Sequence, residues 1–314
     1  MKVLTLDIED WFHILGNKST ALPEQWRQFP ARIHENNDRL LEILDKHQTK
    51  ATFFILGWIA EKYPEVVKKI HDAGHEIGTH SYGHQLLFNQ SPEEMRQDML
   101  YSIKLLEDLT GEKISLYRVP GFSITHKTSY AWEILAECGI TTDASVFPAD
   151  RIHGGINDFI CAVPCRLRIN GVEIKEFPVS TQKIFGKRFV YCGGGYFRFF
   201  NYSLIKKWMT DARYVMSYFH PRDFDPGQPM IEDLAWYRKF MSYTGLKNSR
   251  QKFEQMLTDF KFTDIRTATT MINWENTPVI NLQPVLHKQQ QQPKGKLITP
   301  RVSEPSLVTF KNNP

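Results

Sequence analysis

The sequence predicts an α/β fold in which parallel strands close, or nearly close, into a barrel. Three observations carry that expectation. Short apolar runs alternate with amphipathic stretches over the first two-thirds of the chain, the rhythm of parallel sheets. Glycines and capping signals punctuate that alternation. The candidate chemical residues fall where apolar runs end, and in a barrel of parallel strands active sites lie at the C-terminal ends of the strands.

Each element has its own signal. Lys2–Asp7 reads as a strand. Ile33–His47 carries helical spacing at Leu40, Leu41 and Leu44. Ala51–Ile55 is a wholly apolar strand, and Pro64–Ala73 a short helix stopped by Gly74. Glu76–Thr79 is the next strand and delivers His80. Ser91-Pro92-Glu93-Glu94 forms a capping box with proline at the first helical position; it opens a helix to Leu109, closed by Gly111. Leu116–Arg118 reads as a strand, Ser129–Cys138 as a helix ended by Gly139, and Thr141–Asp143 as a strand. The region from Phe147 to Phe200 breaks the rhythm. With Gly154-Gly155, a strand at Val172–Pro178 and the glycine-rich run Gly193–Arg198, it is expected to be a β-rich insertion near the barrel mouth. Leu204–Arg213 is helical, Tyr214–Phe219 is a strand delivering His220, and Ser249–Phe260 is an amphipathic helix with Ser249 as its cap. Residues 1–280 therefore form one domain. From Asn281 the chain is rich in Gln, Lys and Pro and is predicted to be disordered.

Composition narrows the function. The chain has 314 residues, 41% apolar and 13% aromatic, enough for a well-filled core. Its net charge of +4 comes mostly from Lys288, Lys294, Lys296, Arg301 and Lys311. No basic stripe interleaved with aromatics points to nucleic acid. No apolar run approaches the length of a membrane span. No basic-then-apolar leader precedes the first strand, so a cytoplasmic protein is expected. Cys138, Cys161, Cys165 and Cys192 show no C-x-x-C pair and are expected to be reduced thiols.

The chemistry concentrates in a few places. His80 and His84, in Thr79-His80-Ser81-Tyr82-Gly83-His84, lie four apart on a turn after a strand, a spacing that lets two imidazoles face one ion. The apolar run Val3–Leu6 leads into Asp7, Glu9 and Asp10. An isolated carboxylate at the mouth of a buried sheet is costly unless a metal or proton matches it. Alternation puts Asp7 and Glu9 on one side. One carboxylate can bind a metal while another acts as a general base. Imidazole ligands suit Zn, Co, Ni or Fe, and a carboxylate partner adds Mn. Arg118 can hold a neighbouring carboxylate ionised. Asp143 ends another strand and can orient a histidine. His220 follows the last strand, and a His held by an Asp is a natural general acid.

In this order (acid cluster, H-x-x-x-H, R-x-P, D-x-S, apolar-His) the motifs resemble those of the polysaccharide deacetylase family, the NodB-homology, family 4-like carbohydrate esterases. The resemblance covers roughly residues 1–225. It implies a distorted (β/α)7 barrel, Asp7 as catalytic base, and a metal held by His80, His84 and Glu9, with Asp10 as the rival carboxylate. It further implies Arg118 orienting the base, Asp143 orienting His220, and His220 as general acid. Two departures stand out: Ile8 separates Asp7 from Glu9 where the family has adjacent aspartates, and Phe219 directly precedes His220 where it has Leu-x-His. The first departure looks like a branch containing peptidoglycan deacetylases and allantoinases. Arg118–Ser123 and Gly193–Arg198 look like enzymes of exopolysaccharide loci.

The expected function is metal-dependent hydrolysis of N-acetyl groups on the amino sugars of a polysaccharide or its precursor, with zinc as the first choice of ion. Phe122, Ser123, Tyr196 and Arg198 are expected to bind substrate, and Trp11, Phe12 and Phe197 are further candidates for stacking on sugar rings. The alternatives are an allantoinase-like amide hydrolase acting on a small substrate without metal, an exported peptidoglycan deacetylase, and an inactive carbohydrate-binding relic.

Overall fold

The computed structural model describes residues 1–282. Its strands are β1 (Lys2–Ile8), β2 (Thr52–Ile55), β3 (Glu76–Thr79), β4 (Leu116–Tyr117), β5 (Thr142–Asp143), β6 (Cys165–Ile169), β7 (Val172–Glu176), β8 (Thr181–Ile184), β9 (Lys187–Val190), β10 (Val215–Phe219) and β11 (Val279–Asn281). Nine of them form one sheet in the order β10-β1-β2-β3-β4-β5-β7-β6-β11, and β8–β9 is a separate hairpin. From β10 to β7 every pairing is parallel. β6 runs antiparallel beside β7.

Seven strands, β10 through β7, are the staves expected of a (β/α)7 barrel. The backbone ladder does not close among the described residues. The seam between β7 and β10 is stitched by the chain that continues from β7: the Tyr214 hydroxyl donates to Pro178 O (2.9 Å), and Ser180 Oγ accepts from Met216 N on β10 (2.8 Å). On the same side Tyr218 N donates to Cys192 O (3.2 Å). Here Gly193 lies against Tyr218, and a Cβ on it would meet the Tyr218 ring at 2.5 Å, so only glycine allows this approach.

Two cores follow from alternation along the staves. Leu4, Leu6 and Ile8 of β1 pack outward against helices such as Ile33–Lys46, Pro64–Asp72 and Pro92–Thr110. Val3 points inward with Phe54, Leu116, Ala144, Phe177 and Met216. Ile265 and Ala268 of the helix Ile265–Met271 belong to this inner cluster. Thr5 and Asp7 share the face of Val3, so the same alternation that buries β1 delivers Asp7 to the C-terminal end of the ring's interior.

The helix signals hold to within a residue or two at most sites. Ser91 accepts from Glu94 N, Glu94 reaches back to Ser91 N, and Gly111 closes the helix Pro92–Thr110 in the left-handed conformation (φ 69°). Three expectations need correction. Val172–Glu176 is a stave, not part of an insertion, because it pairs in parallel with β5 (Asp143 opposite Glu176). The glycine-rich run folds into a helix, Gly194–Phe199. The last long helix begins at Leu246 after Gly245 (φ 78°), so Ser249 lies buried inside it and does not cap it. The helix Trp236–Tyr243 and strand β11 were not foreseen. Of the tail expected to be disordered, Asn281 and Leu282 pair with Arg168 on β6; the rest lies outside the described residues.

Candidate active site

Glu9, His80 and His84 converge at the C-terminal end of the ring. Glu9 follows the end of β1 and His80 the end of β3. His84 is brought back by the loop between them, whose backbone is held from the long helix: Asp98 accepts from Tyr82 N and Gly83 N (both 2.8 Å). Ser81 (φ 65°) and His84 (φ 51°) adopt the left-handed conformation in this loop, a strain that cores rarely keep and functional sites often do.

His80 Nε2 is 3.1 Å and His84 Nε2 2.8 Å from Glu9 Oε1. One ligand atom from each of the three residues lies within 4.8 Å of the others, and all three residues are buried. His80 Nδ1 is 2.7 Å from the Arg118 carbonyl. A carbonyl can only accept, so Nδ1 carries a proton and Nε2 is the nitrogen that faces Glu9, with a lone pair for a cation in the neutral ring. His84 Nε2 is buried and near Glu9, yet makes no aligned hydrogen bond. Lone pairs aimed at a common point, with one ring nitrogen unsatisfied, suit a cation better than a hydrogen-bond network. Two imidazoles and one carboxylate suit a divalent transition metal with open positions.

Two further pairs flank the triad. Arg118 is fully buried inside the ring; Nη1 donates to Asp7 Oδ1 (2.8 Å) and Thr5 Oγ1 (2.7 Å), and Nε to Ala144 O (3.0 Å). Asp7 is thus fixed beside a permanent positive charge. On the other side His220 Nε2 is 3.8 Å from Asp7 Oδ2 and 3.9 Å from Glu9 Oε1. Its Nδ1 is 3.0 Å from Asp223 Oδ2, and Arg198 Nη1 donates to the other oxygen of Asp223. Burial pushes the His220 imidazole below its ordinary value, against the pull of Glu9 and Asp7. Burial would raise the Glu9 carboxyl, but His84, His220 and the contact with His80 outweigh it and hold the group well below the usual range.

Not every predicted residue reaches this point. Asp10 is not a rival ligand: its oxygens accept from Trp11 N (2.7 Å), Arg32 N (2.8 Å) and Ile33 N (3.1 Å), capping the helix Ile33–Lys46. Burial raises its carboxyl to about 6. Asp143 does not orient His220. It accepts from Trp132 Nε1 (2.9 Å), Ala144 N (2.9 Å) and Ser145 Oγ, and it faces Glu176, whose carboxyl is pushed well above its ordinary value by burial and then by Asp143's charge. Asp223, three residues after His220, takes the orienting role. The turn His220-Pro221-Arg222-Asp223, with proline in second place and an acid three residues on, is the sequence signal for it. Ser123 binds framework: its hydroxyl donates to Pro120 O (2.8 Å) and accepts from Leu87 N (3.1 Å). Trp11, Phe12 and Phe197 are core residues.

A cavity of about 610 Å³ opens over the site, lined by Asp7, Glu9, His80, His84 and His220 together with Phe122, Tyr196 and Arg198. It also reaches His13, which the sequence reading missed. His13 Nδ1 accepts from Asp10 N (2.8 Å), so Nε2 carries the proton; it is buried without a partner and is a free donor at the cavity wall.

Residues 23–142 match the family model for polysaccharide deacetylases. The chain carries a polysaccharide deacetylase domain. Residues 144–270 match a model described as a domain of unknown function, DUF3473. Over 86 residues the chain is 38% identical to a peptidoglycan-N-acetylglucosamine deacetylase of Bacillus cereus, covering 27% of this chain and 31% of that protein. Over 112 residues it is 33% identical to a peptidoglycan deacetylase of Helicobacter pylori, covering 36% and 37%. The chain thus spans about a third of the length of these relatives. A solved structure from Mycobacterium smegmatis, described as a polysaccharide deacetylase, aligns with a TM-score of 0.61 at 19% identity over 91% of this chain and 94% of that one. The deacetylase fold therefore extends beyond the matched domain through the DUF3473 region. No helix among the described residues is long and apolar enough to cross a membrane.

Proposed function

We propose that this polysaccharide deacetylase domain, completed by residues of the DUF3473 region, hydrolyses the N-acetyl amide of an amino sugar in a polysaccharide or its precursor. The observation that carries the reading is the juxtaposition at one cavity of Glu9, His80 and His84 with Asp7 on one flank and His220 on the other.

Glu9, His80 and His84 would hold one divalent ion, with zinc best suited to the donors and Co, Ni, Mn or Fe as other candidates. Such an ion would supply Lewis-acid polarisation of the acyl carbonyl. Asp7 takes the proton of the attacking water, and Arg118 Nη1, 2.8 Å from Oδ1, keeps that carboxylate aimed. His220 delivers a proton from Nε2 to the leaving nitrogen, and Asp223 stabilises the imidazolium through Nδ1. The C–N bond breaks, a C–O bond forms, and acetate leaves with a free amine on the sugar. Phe122 and Tyr196 line the cavity where the ring would sit. The likeness of Arg118–Ser123 and Gly193–Arg198 to enzymes of exopolysaccharide loci supports a substrate from polymer synthesis.

The test is metal analysis of the purified protein with acetate release from an N-acetylglucosamine oligomer. One ion per chain and turnover lost on chelation are expected. Full turnover after complete chelation would overturn the metal-dependent reading.

A further inference from the structure

Four arginines line the cavity: Arg151, Arg198, Arg222 and Arg238. Two are tied to backbone carbonyls. Arg198 donates to Asp223 and to the carbonyls of Met241 (2.8 Å), Ser242 (3.1 Å) and Thr244 (3.2 Å). Arg238 donates to the carbonyls of Leu15 and Gly16. The other two are not. Arg222 Nε donates to Gln228 Oε1 (3.0 Å) and its guanidinium stands 5.6 Å over the Tyr243 ring, but Nη2 is buried with no hydrogen-bond partner. Arg151 rests between the rings of Phe122 and Phe147 (5.0 Å to each), with one long contact, 3.4 Å, to Tyr218 OH. Among the described residues Arg151, Arg222 and Arg238 have no carboxylate within 4 Å, but Arg238 is held by two carbonyls while Arg222 keeps a buried nitrogen unbonded.

A guanidinium donor shut away from water and left without an acceptor is costly. The aromatic stack fixes Arg151 without using its donors. Planar forks held in this way match carboxylate or phosphate oxygens two at a time. We propose that the substrate carries a negatively charged group, a carboxylate or a phosphate, near the N-acetyl group to be removed, and that Arg222 and Arg151 receive it. The proposal rests on the deacetylase reading and deepens it: the substrate is an acidic amino-sugar glycan and not a neutral one.

The test uses three trimers of N-acetylglucosamine: the neutral one, one oxidised to a C6 carboxylate on a single sugar, and one bearing a phosphate ester. Acetate release gives kcat/KM for each, and calorimetry on the chelated protein gives each Kd. At least one charged trimer should exceed the neutral one by about 10-fold in kcat/KM and in affinity, the scale of one charge-assisted hydrogen bond, and the gap should narrow with added salt. Whichever charged trimer shows the preference identifies the anion. In Arg222→Gln and Arg151→Gln the charged-to-neutral ratio should collapse, and in Arg222→Lys and Arg151→Lys it should partly survive. A purely structural role would lower both rates and leave the ratio unchanged. The Lys variants stand in if the Gln variants fail to fold. Equal kcat/KM and Kd across the three trimers would overturn the anion site while leaving the deacetylase intact. Charge-selective binding without turnover of any trimer would sink the reaction and keep the anion site.

Discussion

Residues 1–143 bring Asp7, Glu9, His80, His84 and Arg118 to the site, each at or just beyond the end of a stave. Residues 144–282 bring His220, Asp223, Arg198, Arg151 and Arg222, and only His220 directly follows a stave. The first set holds the candidate metal triad and Asp7, proposed as the base. The second holds His220, proposed as the acid, with Asp223 bonded to it, and the arginines over the cavity. The contrast follows the two family models, since the deacetylase match ends at 142 and the DUF3473 match begins at 144. Neither part makes a site alone: β10 from the second pairs with β1 from the first and sets His220 against Asp7. The site is thus shared between two stretches joined at two strand pairs, β1 with β10 and β5 with β7.

That division can be broken by substitution. The largest effect is expected in the first region: a His80→Ala/His84→Ala double variant should lose its ion and drop turnover by more than about 10³-fold, beyond the loss usual for a single electrostatic stabiliser. Full metal occupancy in that variant, by elemental analysis, would refute the triad. One step smaller, Asp7→Asn and His220→Ala should each lower kcat by about 10²–10⁴-fold with metal retained. Near-normal acetate release in either would mean that the two regions do not supply base and acid as described.

Asp223→Asn should cost about 10–10²-fold, the range for a group acting through its neighbour, and it should move the pH profile. As the proposed acid His220 must be protonated, so activity should fall as pH rises through its pKa. Burial already lowers that pKa against the pull of Glu9 and Asp7, and a carboxylate 3.0 Å from Nδ1 favours the charged ring. Its removal should therefore shift the basic limb to lower pH. Asp143→Asn should leave that limb in place, because Asp143 is bonded to Trp132 and Ser145 and not to His220. A shift in Asp143→Asn instead would reverse the assignment. The smallest effect is expected at Ser123→Ala, which strands Leu87 N: a loss of about 1–3 kcal/mol in unfolding free energy with unchanged kcat.

Much of the first region was legible from local pattern. Strand alternation located Asp7 and Glu9 on one side, the apolar run before His80 located the H-x-x-x-H pair, and the Ser91 capping box located the helix whose Asp98 pins the loop between them. The second region was harder to read. Val172–Glu176 is an ordinary alternating strand, and nothing in it announces a stave as opposed to an insertion; its pairing with β5 decides that. Glycines usually signal loops, yet Gly194–Phe199 is helical, and the glycine just before it serves the close approach to Tyr218.

The sequence by itself determined which groups were available for chemistry and which strand ends present Asp7, His80, Arg118 and His220, because alternation and strand ends are local properties of the chain. Only the tertiary structure decided which neighbour each group meets. Asp10 is consumed by the backbone of Arg32 and Ile33, Asp143 by Trp132 and Ser145, while Asp223 reaches His220 and Arg222 keeps an empty donor. Carboxylates and guanidinia are identical in sequence whether bonded or free. Their roles depend on which polar atoms burial brings within about 3 Å, and that distance is set by how the staves pair.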